Sequence, residues 1–139
     1  INNAPGFTLS FYIPKQWDFT FEDGLYYIYK MEDGSKKIIA VGVPGRTLHY
    51  NFSIESKVGL IVISKGITYP SVNYNDTIQS YAKCNISEYC ILAVVMNIAA
   101  VGAIDIPYDE YMSILFIFID SEISFSEVRH FMESFAMQR

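Results

Sequence analysis

Cys84 and Cys90 are the two cysteines of this chain and its most definite chemical pair. Five residues lie between them, which excludes the two-residue spacing of redox and zinc motifs. A paired count this close in sequence predicts a local disulfide in an oxidising compartment. Closing so short a loop contributes only about 2–3 kcal/mol, so its effect is to pin the Asn85–Tyr89 turn. His49 and His130 are the only histidines. His49 falls between Leu48 and Tyr50 in an alternating run, and His130 follows Arg129 on the polar side of a helical pattern. Neither has a nucleophile or base at a recognisable spacing, and a solvated side chain accounts for His130.

The carboxylates gather in two places, Asp18/Glu22/Asp23 and Asp105/Asp109/Glu110. The second group has loop-like spacing that could offer oxygens to calcium, but it lacks the alternating ligands of a calcium loop. An acidic solvent loop accounts for it. Carboxylate pairs for glycoside cleavage have no positive support. No Gly-x-Ser-x-Gly elbow is present, and Gly42-Val43-Pro44-Gly45 reads as a turn, with neither phosphate-binding glycine fingerprint. No catalytic residue, cofactor or metal is therefore assigned. Three N-x-Ser/Thr sequons, at Asn51, Asn75 and Asn85, read as chance matches in an Asn-containing chain.

The other residues suited to a task are Tyr26, Tyr27 and Tyr29. On a strand, Tyr27 and Tyr29 share one face and Tyr26 points to the other. Exposed tyrosines give large contact area for little lost entropy. With Asp105, Asp109 and Glu110 they form the expected partner-binding set. Fifteen acidic against ten basic residues leave a net charge of −5. That charge disfavours nucleic acid and suits a basic protein partner.

These residues need a scaffold, and the composition supplies one. Of 139 residues, 51% are apolar, 16% aromatic and only 18% charged, which predicts one folded, β-leaning domain over residues 1–139. The longest apolar run, Ile91 to Ile104, is broken by Asn97 and Gly102 and is too short to span a membrane.

Phe7, Leu9, Phe11 and Ile13 alternate with polar residues, so a strand with one buried face runs to Pro14. Trp17, Phe19 and Phe21 continue the alternation. Asp23-Gly24 and Asp33-Gly34 then punctuate a hairpin meander that ends at Pro44-Gly45. Arg46 to Ile54, in which Leu48, Tyr50, Phe52 and Ile54 alternate, and Val58 to Ser64 read as further strands. Tyr74, Ile78, Tyr81 and Ala82 fall at helical spacing, so residues 73–83 are expected to form a helix capped by Asn73. Cys90 to Val101 and Met112 to Ile119 read as buried strands. Ser124-Phe125-Ser126-Glu127 is a capping box opening a helix whose apolar face is Phe125, Val128, Phe131, Met132, Phe135 and Ala136. The expected class is α+β: a mostly antiparallel sheet of six to seven strands with covering helices.

The opening strand into Pro14-x-x-Trp17, the Asp23-Gly24 hairpin, and the closing strand and helix ending Met132-Glu133-Ser134-Phe135 resemble the PsbP-like fold family, whose members are α/β/α sandwiches. That resemblance implies a non-enzymatic role, as in accessory subunits, lipoproteins and immunity proteins, and assigns no residue. Taken together, the expectation is a periplasmic or extracellular protein-binding domain. Its most concrete form is an immunity protein that neutralises a secreted toxin. The alternatives are a lipid-anchored or accessory subunit of an envelope complex, and a hydrolase built on scattered carboxylates.

Overall fold

The computed structural model describes residues 8–45, 49–52, 56–65, 71–73, 78–86, 89–98, 102–105, 110–120 and 122–138. A short strand β1 (Thr8–Ser10) leads into the meander β2 (Trp17–Glu22), β3 (Leu25–Glu32) and β4 (Ser35–Gly45). The order continues β5 (His49–Phe52), β6 (Ser56–Lys65), β7 (Ser71–Asn73), β8 (Ile78–Ile86), β9 (Tyr89–Ile98), β10 (Gly102–Asp105) and β11 (Glu110–Phe118). Helix α1 (Phe125–Glu133) and strand β12 (Ala136–Gln138) close it. The principal sheet has seven antiparallel strands in the order β2-β3-β4-β11-β6-β9-β8. A three-stranded sheet runs β5-β10-β7, and a ribbon joins β1 to β12.

The meander follows from its turns. Asp23 and Asp33 both have φ 53°, and Gly24 and Gly34 both have φ 80°. Positive φ at both central positions is the type I′ geometry, whose twist matches that of paired strands and which Asp-Gly favours. Each turn fixes its register, Glu22 opposite Leu25 and Glu32 opposite Ser35. From there, alternation decides the faces. Trp17, Tyr26 and Ile28 enter the core beneath α1, while Asp18, Thr20, Tyr27 and Tyr29 lie on the opposite face. An irregularity between Ile28 and Tyr29 admits one extra residue on β4, so Ile39 and Ala40 are both buried in the core.

Strands β6, β9 and β11 are buried on both faces, as their unbroken apolar runs require. Ile61, Ile63, Ile91, Val95, Ile114 and Phe116 meet the helix side; Val58, Leu60, Val62, Leu92, Val94 and Leu115 form a second cluster on the reverse side. Helix α1 lies against β6 and β9. Its capping box is formed in both directions: the Glu127 N–H donates to Ser124 Oγ at 3.1 Å, and the Ser124 N–H donates to Glu127 Oε1 at 3.1 Å. Val128, Phe131 and Met132 form its buried face. Phe131 is the hub of the aromatic core, with Phe11, Phe116, Phe118 and Phe135 at edge-on centroid distances of 5.2–6.0 Å.

One expectation is corrected and one is met in part. Residues 78–83, expected as helix, are in strand β8, paired with β9 from Ile78↔Met96 to Lys83↔Ile91. Tyr74 lies outside the described residues. Ile78 and Ala82, four residues apart, share a face in either a helix or a strand. The bare edge of β9 decides between them, because its backbone groups gain partners only from a strand. Among the described residues α1 is the one helix, and it lies on one face of the sheet. The mostly antiparallel sheet is as expected, the described residues place one helix against it, and the reverse apolar cluster lies on the face away from that helix.

Candidate functional site

The face of β2, β3 and β4 that points away from α1 is the strongest candidate. Register brings Tyr27 between Thr20 and Val41, and Tyr29 between Asp18 and Ile38. Val41 in turn pairs with Ile117 on β11, so half-buried apolar side chains run from Tyr29 across the strands to the fully buried Leu115. Met31, next along this face of β3, is 59% exposed. The Tyr29 hydroxyl donates to Asp18 Oδ2 at 3.2 Å, and the Lys36 ammonium stands 4.6 Å above the Tyr29 ring centroid. The tyrosine ring presents its electron-rich face to a cation while its hydroxyl is held by a carboxylate. Around this row stand the exposed carboxylates Asp18 and Glu22, with Asp23 and Asp33 at the two turns and Lys36 as the nearby cation.

Tyr26 does not belong to that surface. It is 4% exposed, stacked on Phe19 at 5.4 Å and tilted against Phe21 at 4.6 Å. Its place on the core side follows from alternation. Asp105 sits on β10, in register with His49 of β5 and Ser71 of β7, and Glu110 opens β11 opposite Ser64. Asp109 lies outside the described residues. These acidic positions thus belong to two different sheets, apart from the tyrosines in sequence and in strand order. Cys90 is disulfide-bonded, and the chain's one other cysteine, Cys84, is on the adjoining strand β8. It directly follows Lys83, which pairs with Ile91, at the start of an irregularity in the β8–β9 pairing that runs to Ile86.

The backbone edge of this face is partly blunted. Trp17 and Phe19 occupy positions in β2 whose N–H groups point away from β3. The Trp17 N–H donates to the Pro14 carbonyl at 2.9 Å, and the Phe19 N–H donates to Asp18 Oδ1 at 2.8 Å. Phe21 is the third outward position of β2, so two of its three outward donors are engaged and the edge is blunted over its first half.

On the helix side, a charge network that sequence reading missed surrounds Lys37. Its ammonium lies 3.6 Å from Glu32 Oε2, 3.6 Å from Asp120 Oδ2 and 3.7 Å from Glu122 Oε2. Asp120 is 7% exposed; its Oδ1 accepts from the Glu122 N–H at 3.0 Å, while its Oδ2 accepts no hydrogen bond. Desolvation pulls the Lys37 pKa down, but the carboxylates of Asp120, Glu122 and Glu32 together raise it above its ordinary value. No spacing links residues 37 and 120; only the β4–β11 pairing brings them together, with the Ile119 N–H donating to the Ile39 carbonyl at 2.9 Å.

A second concavity, a groove of about 420 Å³, lies between Tyr12, Ile13 and Pro14 and the helix residues Glu127, His130 and Phe131. Tyr12 is 81% exposed, and His130 is exposed, as its polar position predicts. Trp17 is buried and serves the core. Among the described residues no three His, Cys, Asp or Glu side chains are grouped to hold a metal ion, and no helix is long and apolar enough to cross a membrane. Comparison with protein-family models, curated proteins and solved structures finds no match to this chain.

Proposed function

We propose that this chain is a non-enzymatic protein-binding domain that works outside the cytoplasm and meets its partner through the Tyr27/Tyr29 face of β2–β4. The observation that carries this reading is a continuous row of half-buried apolar side chains, Tyr27, Tyr29, Ile38, Val41 and Ile117, ending at the exposed Met31. A rigid, twisted sheet anchored by a buried aromatic core presents such a row without an ordering cost on binding. The disulfide at Cys90 supports an oxidising setting.

Kinship with PsbP-like domains remains part of this proposal. What supports it is that the two chain ends carrying the resemblance are neighbours, β1 pairing with β12. An immunity protein against a basic secreted toxin is the most concrete form of the reading. Co-expression with basic secreted toxins, starting with any whose gene neighbours this one, tests this directly. The wild-type chain is expected to rescue growth and to co-purify with the toxin at low salt, and the Tyr27→Ala/Tyr29→Ala double variant to lose both. Equal rescue by a folded double variant would overturn the assignment of this face.

A further inference from the structure

We infer that the Tyr27/Tyr29 face is a receptor for a guanidinium or ammonium group on a partner's basic segment, and that Lys36 occupies it as an internal stand-in until that segment displaces it. This deepens the binding role proposed above and rests on it.

The observed geometry already contains one such contact. The Lys36 ammonium lies 4.6 Å above the centre of the Tyr29 ring, within the range in which a cation is attracted to the ring quadrupole. The ring is held for the purpose by its hydroxyl bond to Asp18 Oδ2, 3.2 Å long, which also places a carboxylate beside the same ring. Tyr27 stands two residues back on the same face of β3, half-buried, so that face carries a second tyrosine. Lys36 itself is exposed and sits on β4 just past the Asp33-Gly34 turn. Its long side chain can therefore swing to solvent at little cost.

Charge selects the occupant. The face and its two turns carry the exposed carboxylates Asp18, Glu22, Asp23 and Asp33 against the single ammonium of Lys36, and the whole chain carries −5. A second copy would set like charges against one another, whereas a basic segment finds carboxylates around an aromatic floor. With two of the three outward N–H groups of β2 occupied, those of Trp17 and Phe19, little of the strand edge is open for pairing and side chains carry the recognition. Arginine fits best, since its planar, weakly hydrated guanidinium stacks on a ring and can also reach a carboxylate.

The probe is a capped Gly-Arg-Gly-Arg-Gly peptide, titrated into the full chain while the tyrosine ring signals are followed by NMR at fixed low salt. The Tyr27 and Tyr29 ring resonances are expected to shift, and Lys36→Gln to bind about two- to fivefold tighter than wild type, the gain from removing one exposed cation–π competitor. Tyr29→Phe keeps the ring but frees Asp18, and is expected to bind with an intermediate loss; Tyr29→Ala is expected to abolish the shift at Tyr27. A Lys36→Gln chain that binds no tighter than wild type, or no binding by either chain, would overturn the inference. If the Tyr27→Ala/Tyr29→Ala variant still loses a protein partner in that case, the surface reading stands and only the cation reading falls. If the double variant keeps its partner, both fall.

Discussion

The Ser134 hydroxyl accepts from the Tyr12 N–H at 2.9 Å, and its single proton faces two carbonyl acceptors, the nearer that of Phe131 and the farther that of Tyr12 at 3.2 Å. The same oxygen is 2.6 Å from the Phe131 carbonyl at the end of α1. One side chain thus caps the helix and ties it to the segment that follows β1, across a sequence separation of 122 residues. Ser134→Ala is expected to lower stability by about 1–2 kcal/mol through these lost bonds. Urea unfolding should show a lower midpoint at unchanged slope, and Ser134→Thr should recover much of the loss.

Gly42 is the place where an aromatic ring crosses the sheet. A Cβ at this position would stand 2.7 Å and 2.9 Å from two ring carbons of Phe116, its cross-strand partner, and 3.1 Å from the Tyr26 Cβ. Gly42→Val is expected to cost about 2–3 kcal/mol by overpacking. The Gly42→Val/Phe116→Leu double variant should be more stable than the sum of the two single changes, which a double-mutant cycle measures.

The second hairpin turn sets the β3–β4 register through Asp33 and Gly34. Gly34→Val would force a β-branched side chain to φ 80° and is expected to cost about 1–2 kcal/mol although nothing crowds the position. Asp33→Asn, whose side chain also suits positive φ, should stay within about 0.5 kcal/mol of wild type. Thermal unfolding of both variants tests the distinction between steric space and backbone strain.

Lys37 predicts a loss of stability at alkaline pH. Its folded pKa is raised above the ordinary 10.5, so the folded chain holds this proton more tightly than the unfolded chain does. The stabilisation is complete below 10.5 and disappears as pH rises through the folded value. Urea midpoints taken from pH 8 to 11.5 should fall more steeply for wild type than for Lys37→Met over the top of that range. The variant should be the less stable chain at pH 8, because Asp120 loses the ammonium that faces it. Parallel curves would exclude this linkage.

Asp18 predicts an effect on association rather than on folding. Removing its carboxylate frees the Phe19 N–H at the outer edge of β2. Asp18→Ala should aggregate faster than wild type in stirred, concentrated solution, as light scattering would report, while Asp18→Asn retains an acceptor and should not. Equal rates for Asp18→Ala and wild type would show that this edge is protected by other means.

The sequence alone determined the parts of this protein that rest on short-range geometry. The two Asp-Gly turns, the alternation that separates Tyr26 from Tyr27 and Tyr29, and the capping box at Ser124 depend on neighbours only a few residues away. It misassigned residues 78–83 because their apolar spacing fits both a helix and a strand, and the choice belongs to β9, which needed a hydrogen-bonding partner. It could not find Lys37 beside Asp120, or Lys36 over a ring steadied by Asp18, as candidates. Tertiary structure alone decided the first of these, because β11 lies beside β4 through a connection that passes six intervening strands, and no local pattern encodes that pairing; the second lies within the two hairpins, where register sets the neighbours but only the packed side chains show the ring between carboxylate and ammonium.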